Sequence, residues 1–183
     1  RHPTRIFMTT REFVVAYDAY PKARHHLLVL PREPLSGPSA LRGARHAALL
    51  ERMARLARWL RTRLEEEAGA APCRFGFHAL PSMLQLHLHV ISLDLDSPCL
   101  KNKKHFNSFT TRFLVSPDEW VRMLRAAGGR IEVDAEREEV QLKGTMRCPL
   151  LGCELVNMPK VKAHVASARY QQALQDAAKQ GLD

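Results

Sequence analysis

The sequence predicts an α+β fold: an antiparallel sheet with a long helix against it, then a small, chemically distinct C-terminal unit. Three observations predict this. Short apolar runs bounded by Pro, Gly and Asp recur between residues 13 and 91, the pattern of strands joined by turns. One segment, 40–67, carries its apolar residues at helical spacing. From residue 129 the composition shifts to a charged stretch, then to a segment opened by two close cysteines. A chain of 183 residues has room for one domain and a small appendage. The expected division is 1–128 for the main unit and 129–183 for a charged linker and tail.

Phe13 to Tyr17 reads as a strand, punctuated by Asp18-Ala19-Tyr20-Pro21. His26 to Leu30 is a second strand, stopped by Pro31, and the short gap between the two suggests an antiparallel pair. Residues 31–38, rich in Pro, Ser and Gly, form a loop. In the helix over 40–67, Leu49, Leu50, Met53, Leu56, Ala57, Leu60 and Leu64 recur on one face, and Gly69 is expected to end it. Arg45, Arg52, Arg55, Arg58, Arg61 and Arg63 decorate the remainder. They form either a solvated face or a basic surface beside a phosphate backbone. Arg74 to His78 is the third strand and Gln85 to Ile91 the fourth, with Pro81-Ser82-Met83 between them. Residues 94–109 read as a polar, basic loop. Ser116 is an expected N-cap, with Pro117 at the first position of a helix over 117–127 that stops at Gly128-Gly129. Residues 130–144 read as a linker with room for a short hairpin, and 148–183 as a tail with its own helix.

Composition is that of an ordinary soluble protein, 45% hydrophobic and 26% charged. No run approaches the roughly 18 apolar residues that a spanning helix needs. The opening Arg1-His2-Pro3-Thr4 has no signal-peptide core and no Met, so a fragment is expected. A formal net charge of +9 favours polyanionic partners, nucleic acid above all. The four cysteines, Cys73, Cys99, Cys148 and Cys153, are too few and scattered for a disulfide framework, so a reduced compartment is expected. Cys73 and Cys99 read as packing residues. Trp59 and Trp120, on the two helices, read as partly buried core.

The fourth strand carries the chemistry. Alternation across a strand puts Leu84, Leu86, Leu88 and Val90 on a core face and Gln85, His87 and His89 on the other. The neighbouring strand supplies His78, and Lys101, Lys103, Lys104 and His105 follow about a dozen residues later. Two chemistries fit. One is metal ligation by neutral imidazoles, with His87, His89 and His78 as ligands. The other is nucleophilic attack by an imidazole on phosphorus, giving a phosphoramidate that water then cleaves. Ser82 offers a hydroxyl beside either site.

Several runs carry a resemblance: Tyr20-Pro21-Lys22-Ala23-Arg24-His25-His26, Leu28-Val29-Leu30-Pro31 and Phe77-His78-Ala79-Leu80-Pro81-Ser82-Met83. Beyond them come Leu86-His87-Leu88-His89-Val90-Ile91-Ser92 and the run from Ser97 to Phe109, opened by Ser-Pro-Cys-Leu-Lys-Asn. On these residues the chain resembles the aprataxin family of the histidine-triad (HIT) superfamily, from about residue 10 to the Cys148 region. The resemblance implies the HIT fold with a zinc-finger-like tail. It also implies a nuclear, monomeric DNA-repair hydrolase that removes AMP from 5′-adenylated DNA ends and leaves a 5′-phosphate. By position, His87 is implied as the nucleophile, His89 as a phosphate ligand and His78 as the proton donor to the leaving group. Lys101 and Ser82 are implied to stabilise phosphoryl charge, Asp18 to hold the ribose hydroxyls, and His105 with its Lys neighbours to meet the DNA end. No metal is implied in the chemistry.

Two departures stand out. The first triad position is Gln85, an amide that bonds hydrogen but carries no charge, and it is expected to act as a supporting group near the phosphate. In the tail, Cys148 and Cys153 are four residues apart, His164 follows, and position 168 is Ala. Cys148, Cys153 and His164 are therefore the expected carriers of a structural zinc, with Glu154, Asp176 or a water as makeshift fourth ligands. Lys160, Lys162 and Arg169 suit DNA contact. Stacking on a DNA end would need an exposed apolar residue near the start of the long helix, such as Leu41. The alternatives are a HIT hydrolase of small nucleotides, a metal-dependent hydrolase, and a non-catalytic nucleic-acid-binding module in which Gln85 marks decay.

Overall fold

A central antiparallel sheet positions everything else. In the computed structural model, residues 6–67 and 71–180 are described, and the expected helix stop at Gly69 lies outside them. The sheet is built from β1 (Ile6–Thr9), β2 (Phe13–Tyr17), β3 (His26–Pro31), β4 (Cys73–His78), β5 (Leu88–Ser92) and β6 (Leu114–Val115). Its spatial order is β1-β2-β3-β5-β4-β6, with every pair antiparallel. Helix α1 (Gly43–Glu65) links β3 to β4; α2 (Lys103–Thr110) precedes β6 and α3 (Pro117–Arg125) follows it. The tail holds α4 (Ala135–Lys143), the hairpin β7 (Met146–Arg147) and β8 (Glu154–Leu155), then α5 (Met158–Val165) and α6 (Ala168–Gln180). Among the described residues no helix is long and apolar enough to cross a membrane.

Each face of the sheet buries a different core. On one, Leu50, Met53 and Leu60 of α1 and Trp120 and Leu124 of α3 pack on Val15, Leu27, Val29, Phe77, Leu88 and Val90. The Phe77 and Trp120 rings stack 4.6 Å apart at 12°. The other face carries Ile91, Leu93, Phe106 and Phe109, and the tail covers it with Met146, Leu155, Val161, Val165, Tyr170 and Leu174. Residues on both sides of the expected 128/129 division therefore share one apolar cluster. Polar bonds cross it too. Tyr170 Oη donates to the Leu93 carbonyl at 2.6 Å, and the Lys162 ammonium donates to the Ser97 carbonyl.

Several elements differ from the sequence expectation, each for a local reason. Residues 94–109 are not all loop. Asn102 caps α2 by accepting the His105 N–H at 2.9 Å, and Phe106 and Phe109, one turn apart, give that helix its buried side. Residues 130–144 hold α4, capped by Asp134, with Glu136 and Glu138 in its first turn and Lys143 in its last, a charge order that suits the helix dipole. Asn107 of α2 closes its far end by reaching the carbonyls of Gln141, Leu142 and Gly144 at 3.2, 3.2 and 3.0 Å. The fourth strand begins only at Leu88, so Leu84 is 84% exposed and is not core. The tail carries two helices and a hairpin where one helix was expected. The expected cap of α3 is present: Ser116 Oγ accepts the Glu119 N–H at 3.3 Å.

Gly76 of β4 is where the sheet tolerates least. A Cβ there would sit 2.7 Å from the Val115 carbonyl oxygen and 2.8 Å from Leu114 Cγ. Gly76→Ala is expected to force β6 away and to destabilise the chain by about 1–3 kcal/mol. A urea midpoint unchanged from the wild type would contradict this close approach.

Candidate active site

The three central strands bring the histidines together. His89 of β5 pairs across the ladder with Leu28 of β3 and Gly76 of β4. Alternation then places His26, His89 and His78 on one face. The His89 ring lies 4.1 Å from His78, 4.8 Å from His87 and 5.2 Å from His26, centroid to centroid. Phe109 of α2 covers them, 4.8 to 5.2 Å from His78, His26 and His89.

Hydrogen bonds set which ring nitrogen holds each proton. Nδ1 of His87 lies 2.8 Å from the backbone carbonyl of Gln85. A carbonyl only accepts, so Nδ1 carries the hydrogen and Nε2 keeps its lone pair. A second chain of bonds starts at the Lys22 backbone N–H, which donates to His26 Nδ1 at 3.1 Å. His26 must therefore hold its proton on Nε2, which faces His89 Nδ1 at 2.9 Å. His89 is left with an N–H at Nε2. That atom is buried without a hydrogen-bond partner, as is His78 Nε2. Unmet buried polar atoms are rare and each costs about 1–3 kcal/mol, so the pair marks a place built for an incoming polar group.

Burial keeps His26, His78 and His89 neutral. It pushes His26 down to about 4 against the opposing pull of Asp18, and His78 down to about 3 with help from the charges of His87, His26 and Lys22. Burial likewise holds His89 well below the usual imidazole range. Positive charge must then come from lysine. The Lys22 ammonium depresses His26, His78, His89 and also His105, so it lies within electrostatic reach of all four.

The other expected site residues fall around this cluster. Asp18, half-buried, accepts the Tyr20 N–H at 2.7 Å and holds its second oxygen 3.6 Å from His26 Nε2. His105 lies in the first turn of α2 and Lys101 just before its N-cap; the Lys101 backbone N–H donates to His105 Nδ1 at 3.2 Å, and Lys101 is exposed. Ser82 stands exposed on the loop between β4 and β5. Gln85 differs from its expected place at the phosphate. Its amide nitrogen donates to the Pro31 and Glu33 carbonyls, both at 3.0 Å, and its oxygen accepts the Leu35 N–H at 3.3 Å. Both amide hydrogens are engaged, so Gln85 has no donor left for a phosphate oxygen.

Leu41 is fully buried and cannot stack on a nucleic-acid end. The arginines of α1 read as a solvated, paired face: Arg45 meets Glu33 at 2.7 Å, Arg52 meets Glu12 at 3.0 Å and Arg58 meets Asp118 at 3.5 Å. Trp59 is 45% exposed and Trp120 only 2%.

Two sets of donors among the described residues converge closely enough to hold a metal ion, each within 4.8 Å: Cys148, Cys153 and His164, and Asp18, His26 and His89. The shared proton between His26 and His89 already accounts for the second. His87 and His78 belong to neither set, which argues against the metal-ligand reading of that pair. The first set is shaped by the β7–β8 turn. There the Cys148 N–H donates to the Cys153 carbonyl at 2.9 Å, and Gly152 takes a φ of 68° that favours glycine. The Leu151 N–H donates to Cys148 Sγ at 3.2 Å, and Cys153 Sγ lies 3.9 Å from His164 Nε2.

Sequence reasoning assigned no role to His26, Lys22 or Phe109. His26 carried a signal: it opens a strand whose Leu27 and Val29 are core. Lys22 and Phe109 lay within the runs that carry the resemblance, but nothing local gave them a role, because that role depends on which strand neighbours which.

Stability should follow pH through these rings. An unfolded histidine takes a proton near 6.5, whereas His26 and His78 in the fold resist it until about 4 and 3. Their contribution is complete above pH 6.5 and is lost as pH falls toward 4. The urea midpoint is expected to drop across that window, and His26→Gln to drop less steeply with pH than the wild type. Equal slopes would refute the assignment.

Comparison with known proteins agrees with this geometry. A family model described as "Scavenger mRNA decapping enzyme C-term binding" matches residues 1–105. Aprataxin of Danio rerio is 45% identical over 152 residues, 83% of this chain and 46% of that protein. Aprataxin of Gallus gallus is 41% identical over 152 residues, 83% of this chain and 47% of that protein. The chain thus spans about half the length of these relatives. A solved structure of the aprataxin ortholog Hnt3 in complex with DNA superposes with a TM-score of 0.74 at 25% identity, covering 96% of this chain and 91% of that one. The fold is therefore the HIT-like α+β fold, and the chain, a homologue of the aprataxins, belongs to the scavenger mRNA decapping enzyme C-term binding family.

Proposed function

We propose that this chain is the hydrolytic part of a DNA-repair enzyme that removes AMP from 5′-adenylated DNA ends through a covalent histidine–AMP intermediate. One observation carries the reading. His87 Nε2 keeps its lone pair because Nδ1 is bonded to the Gln85 carbonyl, and it stands beside two buried imidazole nitrogens that lack partners. A nucleophile next to unmet polar atoms is what displacement at phosphorus requires. The net charge of +9 and the DNA held by the related Hnt3 favour a DNA substrate.

In this reading His87 Nε2 attacks the adenylate phosphorus. The N–P bond forms as the P–O bond to the DNA 5′-phosphate breaks. Positive charge then grows on the His87 ring, and the Gln85 carbonyl holding Nδ1–H stabilises it. His89 Nε2–H donates to a phosphoryl oxygen. His78, neutral in the free chain, gains basicity when the anionic phosphates arrive and shuttles the proton of the leaving group. Lys22 and Lys101 supply the positive charge that the neutral histidines do not, and Asp18 holds ribose hydroxyls. Water then attacks phosphorus, the N–P bond breaks, and AMP leaves with His87 restored. Ser82 and His105 contact phosphate and the DNA end. No step needs a metal. A nuclear location and a monomeric state accompany this function.

The decisive assay uses nicked 5′-adenylated DNA in the presence of EDTA. The wild type is expected to give a 5′-phosphate end and AMP, and His87→Ala to lose on the order of 10³-fold or more of that rate. Binding without conversion by the wild type would favour a non-catalytic module instead. Conversion of small adenylated substrates that is as fast and as salt-insensitive as on DNA would favour a small-nucleotide hydrolase.

The tail donors fit zinc. Two thiols and an imidazole are zinc ligands, and backbone N–H groups of Leu150 and Leu151 favour the Cys148 thiolate against the burial that raises its pKa. Both makeshift fourth ligands are engaged elsewhere, Glu154 by Arg147 and Asp176 by Gln172, which favours water at the fourth position. Bound zinc would tie the hairpin to α5. The purified chain is expected to carry about one zinc, and Cys153→Ser to lose it with a fall of at least about 3 °C in Tm. Full zinc retention by the variant would remove the site.

A further inference from the structure

The ladder between β3 and β5 ends at Val29 and Leu88, one residue after the nucleophile. Residues 85–87 therefore lie beyond the sheet, next to the exposed Leu84. The carbonyl that fixes the tautomer of His87 belongs to this stretch. What holds it is the side chain of the same residue. Gln85 places two donor bonds on the Pro31 and Glu33 carbonyls and accepts one from the Leu35 N–H, and the Leu86 N–H adds a backbone bond to the Leu35 carbonyl at 2.7 Å.

The chemistry of position 85 follows from counting. The loop presents two acceptors and one donor, and a primary amide offers two donors and an acceptor in one plane. Neutral imidazole offers one of each and would leave one carbonyl without its partner. A carboxylate offers no donor and would face two carbonyl oxygens.

We propose that Gln85 is a positioning residue whose amide brackets loop 31–35 to the segment before β5, keeping its own carbonyl on Nδ1 of His87 and the nucleophile in its reactive tautomer. The amide at the first triad position is then a fully used replacement, not a sign of decay. The kinetic arm of the test rests on the hydrolase reading above; the spectroscopic arm does not.

The test labels the histidine rings with ¹⁵N and reads which nitrogen of His87 carries hydrogen, in the wild type, Gln85→Glu, Gln85→Met and Gln85→His. Gln85→Met keeps the volume without polar atoms or charge, so it serves where Gln85→Glu disturbs folding. The wild type is expected to show a single Nδ1–H form. Gln85→Glu and Gln85→Met are expected to show mixed forms and a single-turnover rate lower by about 10–100-fold, with the Kd for DNA within about 3-fold. Gln85→His, which keeps two of the three bonds, should recover most of the rate. A single Nδ1–H form in Gln85→Met overturns the proposal whatever its rate, and so does a mixed form at the wild-type rate. A wild type that releases no AMP defeats the hydrolase reading while the ring spectra still decide the role of Gln85.

Discussion

The site depends on the hydrogen bond between His26 Nε2 and His89 Nδ1. It is buried, and it has one direction only because the Lys22 backbone N–H claims the far nitrogen of His26. A main-chain group on the β2–β3 turn thus decides where a proton sits two rings away. This holds only if the rings stay neutral, and burial, with Phe109 packed on them, enforces that. A charged His26 would present hydrogen on both nitrogens and expel the Lys22 N–H. Neutrality, tautomer and burial are consequently one condition.

That condition explains why the tail packs as it does. The face of the sheet bearing the histidines also bears Ile91 and, just past the strand, Leu93, and these require cover. Helix α2 gives part of it and the residues from Met146 to Leu174 give the rest. The Tyr170 hydroxyl reaches the Leu93 carbonyl one residue beyond β5. Ser97 and Asp94 bind the 21–25 segment in turn, through the Pro21 carbonyl and the Arg24 N–H. The turn that presents Lys22 is therefore braced from the same side as the tail. Cys148 of the hairpin and Ile91 of β5 share one body of apolar contacts.

Much of this was legible in the sequence, for a physical reason. β2, β3, β4 and α3 are marked by periodicity and caps, which are local properties. The pairing of His87 and His89 with His78 followed from alternation and adjacency. Helices α2 and α4 were not legible because their polar residues dominate the count, while what holds them is a cap and two phenylalanines or an asparagine from elsewhere in the chain. The start of β5 was misplaced because Leu84 and Leu86 continue its pattern past the point where the partner strand turns away. His26 and Lys22 gained their roles only through the strand order β3-β5-β4, which no local pattern encodes.

The nitrogens His78 Nε2 and His89 Nε2 are buried without a hydrogen-bond partner in the protein, so each adds to the cost of folding and neither adds a bond to it. A ligand oxygen that accepts from His89 Nε2–H would offset part of that cost, so occupancy and stability would be linked by mass action. A ligand at about 100 times its Kd raises stability by roughly 2.7 kcal/mol. A fold that gives up stability to hold these nitrogens unpaired is thus one that a bound ligand steadies.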